Sequence, residues 1–259
     1  MPKQDVTLSI VTYNSEQYIK TALDSLFENI KGVDYHIYVV DNFSTDNTAQ
    51  IVKSYANDKL TFINNDNNLG FGGGHNKALE LCDSKYHAFV NPDVFIKDDV
   101  LSDMAKYLDD NPDIGILTPK VLFPDGQIQV LPQKNPRFIY VVARRIHLGF
   151  LKKYREEFEM FDKGLDIKHD IEFATGAFMF TRTDLIKKVG GFDERFFLYF
   201  EDADITRKIN EISRAEYNPD FTVYHYWERA GSKQIKFFLI QIASMFKYMS
   251  KWRKSNKSK

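Results

Sequence analysis

The chemistry-bearing residues of this sequence fall in short clusters. The densest runs Gly190-Gly191-Phe192-Asp193-Glu194-Arg195-Phe196-Phe197-Leu198-Tyr199-Phe200-Glu201-Asp202-Ala203-Asp204. Five of the nine residues from Phe192 to Phe200 are aromatic, and an acidic pair follows directly. An apolar surround disfavours the charged carboxylate, raises its pKa and makes it a better base. Glu201 and Asp202 are therefore candidates for general-base work. The plainer reading is two acids complementing the dipole of a helix's first turn. Asn91-Pro92-Asp93 is a second cluster. A carboxylate there can hold Mg²⁺ or Mn²⁺, which prefer hard oxygen ligands, if a bound diphosphate and water complete the shell. Asp41 is a third candidate. Its carboxylate can accept from the N3–H of uracil or thymine, whereas cytosine presents an acceptor at that atom. An Asp there equally suits a helix cap or turn.

A glycine-rich stretch, Asn68-Leu69-Gly70-Phe71-Gly72-Gly73-Gly74-His75-Asn76, completes the set. It is not G-x-G-x-x-G, because His75 takes the last glycine's place, and no G-K-[ST] follows to make a P-loop. It reads either as a tight turn or as backbone approaching a diphosphate at a helix mouth.

These clusters need elements to bring them together. Apolar periodicity predicts strands at 6–11, 36–40, 60–63, 86–90 and 114–118. Helices fall between them near 15–28, from a Ser44 or Thr45 cap through Tyr55, over 70–81 and near 98–108. This β–α alternation predicts an α/β fold with a parallel sheet covered by helices on both faces. Thr12-Tyr13-Asn14, Asp41-Asn42 and Asn91-Pro92-Asp93 all follow strands. In open α/β sheets the ligand crevice lies at the strands' carboxyl ends, so one shared site is expected.

The second half is less regular. Residues 137–155 hold six Lys or Arg, no acid and many apolar side chains. A strand is expected at 176–181, a short helix at 184–189, a turn at Gly190-Gly191 and a helix at 202–212. The last helical pattern spans 233–252. There Ile235, Phe238, Leu239, Ile242, Met245, Phe246, Met249 and Trp252 recur at spacings of three and four. Lys233, Lys236, Lys247, Lys251, Arg253 and Lys254 lie beside this stripe or at its ends. That pattern suits a helix lying in an anionic membrane interface. It also suits one packed on the chain's own core or on a second copy of the chain.

Composition narrows the classes. The chain has 259 residues, 43% hydrophobic and 27% charged, which excludes a disordered or collagen-like polypeptide. The formal net charge of −1 hides an uneven spread: residues 233–259 carry eight basic groups and no acid, leaving 27 basic against 36 acidic groups elsewhere. The acidic body and the lack of a recognisable motif argue against a nucleic-acid partner. One cysteine, Cys82, fits a reducing compartment. No apolar run approaches the roughly 20 residues of a membrane span. The first residues lack a signal peptide's apolar core. A cytoplasmic protein is expected.

Taken in order, Ser9-Ile10-Val11-Thr12-Tyr13-Asn14, Val40-Asp41-Asn42-Phe43-Ser44-Thr45-Asp46, Asn68-Leu69-Gly70-Phe71-Gly72, Asn91-Pro92-Asp93 and the 191–202 segment resemble family 2 glycosyltransferases. Within that family they are most similar to the rhamnosyltransferase-like branch of bacterial polysaccharide assembly, over roughly residues 6–228. The resemblance implies a GT-A, Rossmann-like nucleotide-sugar fold with a mostly parallel central sheet and a C-terminal amphipathic helix. The catalytic domain would span 1–232, its nucleotide part ending near 118, with the basic helix and tail at 233–259.

It also implies an inverting, Mg²⁺- or Mn²⁺-assisted transfer from a nucleoside diphosphate sugar. Thr12, Tyr13 and Asn14 match the segment flanking the nucleoside, and Asp41 the pyrimidine-binding acid. Asp93 matches the last acid of a D-x-D metal motif in which Asn91 replaces the first. Asp202 matches the catalytic base, with Glu201 its neighbour. Asn42, Gly70, Phe71, Gly72, Asn76 and Asn91 complete the expected donor site. His225 falls where some GT-A enzymes place another metal ligand, although a lone His in a strand is often structural.

The resemblance favours dTDP-rhamnose over UDP-sugars as donor, and a glycan or polyprenyl-linked acceptor. It favours a peripheral location at the inner face of the cell membrane. A non-catalytic nucleotide-sugar module is the reading from another class. A nucleotidyltransferase would carry a basic glycine-rich loop near its start, yet residues 9–20 hold no glycine and only Lys20.

Overall fold

The computed structural model describes residues 4–255 except 56, 132, 147 and 228–234, with the side chains of 235, 236, 254 and 255 also outside the description. The expected alternation is present as β1 (Gln4–Thr12), α1 (Ile19–Asn29), β2 (Tyr35–Asp41), α2 (Thr48–Lys53), β3 (Leu60–Asn64), α3 (Gly70–Leu81), β4 (Ser84–Val90), a short β5 (Val94–Phe95), α4 (Val100–Asp110) and β6 (Ile114–Leu122). The second half adds α5 (Phe138–Arg145), α6 (Lys152–Phe158), β7 (His169–Ile171), β8 (Phe178–Arg182), α7 (Thr183–Lys188), α8 (Glu201–Ile209), β9 (Arg214–His225) and α9 (Ile235–Ser255).

One sheet runs β3-β2-β1-β4-β8-β6-β9-β5, with β7 also on β9. From β3 to β4 every pairing is parallel, as the alternation predicts. Beyond β4 the sheet is mixed. β8 inserts antiparallel between β4 and β6, while β6 and β9 run parallel. β9 carries Asn218-Pro219-Asp220, which reads as a turn. A register shift opposite it, between Pro119 and Lys120 of β6, accommodates the irregularity inside a continuous ladder.

Side chains alternate across the sheet as the pleat requires. Val6, Leu8 and Ile10 join Ile37, Val39, Leu23 and Leu101 in the core under α1 and α4. Val40, Phe89, Ala78, Ile186 and Ile205 fill the core on the opposite face. On that face β1 and β4 also bear a buried polar ladder. Thr7 Oγ1 lies 2.7 Å from His87 Nδ1, and Ser9 Oγ bridges His87 Nε2 at 2.8 Å and His75 Nδ1 at 2.7 Å. His75, the departure from the dinucleotide fingerprint, is thus a strut from α3 to β1. Burial pushes the His87 imidazole down to about 3, so it stays neutral.

A third cluster is aromatic and joins Tyr140, Phe158, Phe196 and Phe200 to Met245, Tyr248 and Trp252 of α9. The last helix is therefore not a single free stripe. Met245 and Trp252 turn inward with Tyr248, while Leu239, Phe246 and Met249 face out. Lys251 Nζ donates to Asp193 and Asp204 at 2.7 Å each, and Trp252 Nε1 donates to Asp204 at 2.9 Å. Part of the predicted membrane stripe is docking surface for the chain itself. Lys233, Lys236 and Lys254 lie outside the described side chains.

Candidate active site

The parallel register sets the ends of β1 and β2 side by side, pairing Thr12 with Asp41. Asp41 is buried. Its Oδ1 accepts from Thr12 Oγ1 at 2.7 Å and Ser44 Oγ at 2.6 Å, and its Oδ2 accepts from Ser44 N at 2.9 Å. A carboxylate offers about four lone-pair sites, so one on Oδ2 is left for a ligand N–H. Asn14 and Phe43 both adopt left-handed backbone, at φ 52° and 67°, to form the facing loops. Asn14 Oδ1 accepts from Thr45 N at 2.8 Å, which ties the loops together. Tyr13, next to Thr12, and Phe43, two residues after Asp41, stand exposed.

Several expected donor-site residues serve packing. Asn42 donates from Nδ2 to Gly70 O and accepts at Oδ1 from Asn65 Nδ2, both at 2.9 Å. Its amide clamps two loops rather than facing a ligand. Gly70 has φ +77°, and a Cβ there would lie 2.1 Å from Phe197 O. A Cβ on Gly72 would meet Phe192 Cβ at 2.8 Å. These glycines allow α3 to sit against the 192–197 segment. Gly70 N donates to Asn68 Oδ1 at 2.9 Å and Phe71 N to Phe197 O at 3.1 Å, so the helix mouth spends these donors internally. Asn76 donates to Phe192 O at 2.9 Å and Glu194 Oε1 at 3.0 Å, and accepts from Phe192 N at 2.9 Å. It too positions that segment.

The chain from 192 to 200 ends in two consecutive left-handed residues, Tyr199 at φ 69° and Phe200 at φ 71°. Such conformations cost non-glycine residues of order 1–3 kcal/mol each. They aim the first turn of α8 at the cleft. Asp202 Oδ2 accepts from Gly176 N at 3.0 Å and its Oδ1 from Ala203 N at 2.8 Å. Burial pushes the Asp202 carboxyl up to about 6, against the opposing pull of these backbone donors. Glu201 is deeper, with Oε2 unpartnered, and burial followed by the Asp202 charge holds it well above its ordinary value. Burial thus raises both adjacent acids, and Glu201 is the more enclosed of the two. Asp204 is removed from contention by its bonds to Lys251 and Trp252.

Gly176 links this acid to the rest. A Cβ there would meet the Phe71 ring at 2.9 Å and Asp202 Oδ2 at 3.6 Å. The next residue, Ala177, accepts at its carbonyl from Asn91 N at 3.0 Å. Asn91-Pro92-Asp93 leads into β5, whose Val94 pairs with His225 of β9. Asp93 Oδ1 and His225 Nε2 lie 3.2 Å apart. Bonds between neighbouring residues therefore link these segments: Asn42 to Gly70, Gly176 to Asp202 and Ala177 to Asn91, with Asp93 against His225.

Among the described residues no three or more His, Cys, Asp or Glu side chains gather as a metal cluster. Asp93 and His225 form a pair. Their donors suit two adjacent ligands of one divalent cation whose remaining positions a diphosphate and water fill. Gly176 and Gln129 lie where no motif spacing marks them, whereas Ser44, expected as a helix cap, instead bonds Asp41, and α2 starts after Asn47.

The family model described as glycosyl transferase family 2 matches residues 7–190. The chain belongs to that family. It is similar to the rhamnosyltransferase WbbL of Escherichia coli K12, at 28% identity over 96% of this chain and 94% of that one. It is also similar to the N-acetylglucosaminyl-diphospho-decaprenol L-rhamnosyltransferase of Mycobacterium tuberculosis H37Rv, at 25% identity over 83% of this chain and 74% of that one. An uncharacterized glycosyltransferase of Methanocaldococcus jannaschii, MJ1057, is 31% identical over 52% of this chain, which spans about half of that protein, 48%.

Among solved structures, Staphylococcus aureus TarS superposes with a TM-score of 0.64 at 24% identity, over 86% of this chain and 37% of that one. The mannosyltransferase PcManGT of Pyrobaculum calidifontis, in complex with GDP-Man and Mn²⁺, superposes with a TM-score of 0.62 at 21% identity, over 90% of this chain and 61% of that one. The fold is GT-A, and this family 2 glycosyltransferase builds it around the cleft just described.

Proposed function

We propose that the protein transfers a sugar with inversion from a pyrimidine diphosphate sugar to a glycan or polyprenyl-linked acceptor in bacterial cell-surface polysaccharide synthesis. The observation that carries this reading is Asp202. It is a carboxylate raised to about 6, held by backbone N–H groups and connected through the 176–177 backbone to Asp93. It can take the acceptor hydroxyl's proton while that oxygen attacks the anomeric carbon. The bond from that carbon to the diphosphate oxygen breaks on the opposite face, and one displacement inverts the centre.

Asp93 and His225 would hold a Mg²⁺ or Mn²⁺ ion, which when bound supplies Lewis-acid stabilisation of charge on the diphosphate. Asp41, with its free lone pair, selects a base carrying an N–H at the facing edge. Thr12 orients Asp41 through its hydroxyl. Tyr13, Asn14 and Phe71 wall the donor cleft, and Asn91 enters it beside Asp93. Asn42, Gly70, Gly72 and Asn76 hold the walls in place.

The favoured donor is dTDP-β-L-rhamnose, giving an α-L-rhamnoside. Its support is Asn91-Pro92-Asp93 together with the similarity to the Escherichia coli and Mycobacterium tuberculosis rhamnosyltransferases. A UDP-sugar is the second reading, because a structural relative, TarS, has been solved with UDP-GlcNAc. A panel of nucleotide sugars scored for nucleotide release decides between them. Calorimetry should give dTDP and UDP binding well above GDP and CDP. Equal or tighter GDP binding overturns the role given to Asp41. The outward face of α9, with α5 beside it, is proposed to rest on an anionic membrane, its competitor being a second copy of the chain.

A further inference from the structure

We infer that Gln129 is a positioning residue that turns the bare Nε2 of His225 toward Asp93, so that imidazole and carboxylate form one half-site for a divalent cation. The inference rests on the proposed metal role of Asp93 and His225.

Gln129 is buried and sits at the base of a small hairpin after β6. Phe123 N donates to Gln127 O at 2.8 Å, and Gln129 N to Val121 O at 2.9 Å. Its amide orientation follows from its neighbours. One nitrogen, Nε2, lies 2.6 Å from His225 O and 3.4 Å from Leu122 O. Both neighbours are carbonyls, which only accept, so the NH₂ group must face them. The carbonyl oxygen Oε1 then faces His225 Nδ1 at 3.0 Å.

An acceptor opposite Nδ1 requires the proton on Nδ1. A neutral imidazole carries one N–H, so Nε2 has only a lone pair. That lone pair faces Asp93 Oδ1 across 3.2 Å. Two acceptors so placed need a positive centre between or beside them, which is the Nε2 proton in the imidazolium and a divalent cation when the imidazole is neutral. The other tautomer would donate from Nε2 to Asp93 and close the pair against a metal. Gln129 thus acts from outside the site as the partner that fixes a ligating imidazole. Main-chain pairing holds the two residues side by side, since β5 and β9 pair at Val94 and His225 and the Tyr226 amide donates to Asp93 O at 3.1 Å.

The test uses the full-length protein. Ring ¹⁵N shifts of metal-free protein, recorded above the imidazole's titration range, should report the Nδ1–H tautomer for the signal lost in His225→Ala. Mn²⁺ uptake in the presence of UDP, followed by electron paramagnetic resonance, should weaken about 10–100-fold in Gln129→Met. The same variant should swap the tautomer while its near-ultraviolet dichroism stays native. Gln129→Glu keeps an acceptor opposite Nδ1 and should retain most of the Mn²⁺ affinity. If Gln129→Met does not fold, the wild-type tautomer and the Gln129→Glu titration decide the matter.

A wild-type Nε2–H tautomer overturns the inference, as does a folded Gln129→Met with wild-type Mn²⁺ affinity. Asp93→Ala and His225→Ala separate the two levels. If neither alters Mn²⁺ uptake, the metal reading fails and takes this inference with it. If both lose it while Gln129→Met does not, Gln129 alone is retired.

Discussion

At the scale of single residues, the cleft divides labour between side chains that face it and side chains that hold those in place. Asp202 carries the first prediction. A base must be deprotonated, so kcat/KM should fall as pH drops below about 6, where Asp202 takes up its proton. Asp202→Asn should lower kcat by about 10²–10⁴-fold and leave donor affinity nearly unchanged. Glu201→Gln replaces an acid held well above its ordinary value with an uncharged amide of the same shape. It should keep turnover within a few-fold of wild type, with the acidic limb of the pH profile in place. A collapse of kcat in Glu201→Gln, with normal turnover in Asp202→Asn, would exchange their roles. Stopped assays across pH 5–8 measure both.

Motif spacing singled out Asp41, Asp93 and Asp202, whose roles are the ones proposed above, because chemistry restricts those residue types. It did not separate them from Asn42 and Asn76, whose amides bond backbone and neighbouring loops. A motif segment must also fit the next motif segment, and both demands look alike in a sequence. Gln129 left no signal, since it meets His225 across 96 positions of chain.

At the scale of elements, the glycine-rich start of α3 shows how packing can write a motif that reads as phosphate binding. Gly70 combines φ +77° with a Cβ position 2.1 Å from a carbonyl oxygen. Gly126 has a similar φ of +89° but open space around it. The pair separates backbone strain from collision. Gly126→Ala should cost about 1–2 kcal/mol, the left-handed penalty for an L-residue. Gly70→Ala should cost that and more, because the 197 carbonyl must move with the segment leading to Asp202. Urea unfolding of the two variants measures the difference, and equal losses would dismiss the packing account. The parallel half of the sheet was legible because each strand there is a short apolar run between turn residues. β9 was not, because Asn218-Pro219-Asp220 reads as a break and only a register shift in its partner keeps it in the sheet.

At the scale of the whole molecule, charge and exposed apolar surface sit on the same side of the chain's argument. Eight basic groups and no acid occupy 233–259, against an acidic remainder. No described helix is long and apolar enough to cross a membrane. α9 spends Met245, Tyr248 and Trp252 on the aromatic core, which leaves Leu239, Phe246 and Met249 outward. Arg145 stacks on Phe238, 4.2 Å from its ring centroid, and so joins α5 to α9. Beyond α5, Ile146, Leu148 and Phe150 are also exposed. We propose that these residues share one apolar surface with basic residues around it, the pattern of interfacial binding. Each basic group near an anionic surface contributes roughly 1 kcal/mol, screened by salt. Deleting α9 is a poor test, because it would open the aromatic cluster. Point changes on the outward face avoid that. Full-length protein should float with vesicles containing phosphatidylglycerol at low salt and release at high salt. Phe246→Ser combined with Phe150→Ser should weaken flotation without lowering the melting temperature. Protein that stays in solution with such vesicles, and whose sedimentation shifts from dimer to monomer in the same double variant, would assign this face to a second copy of the chain instead.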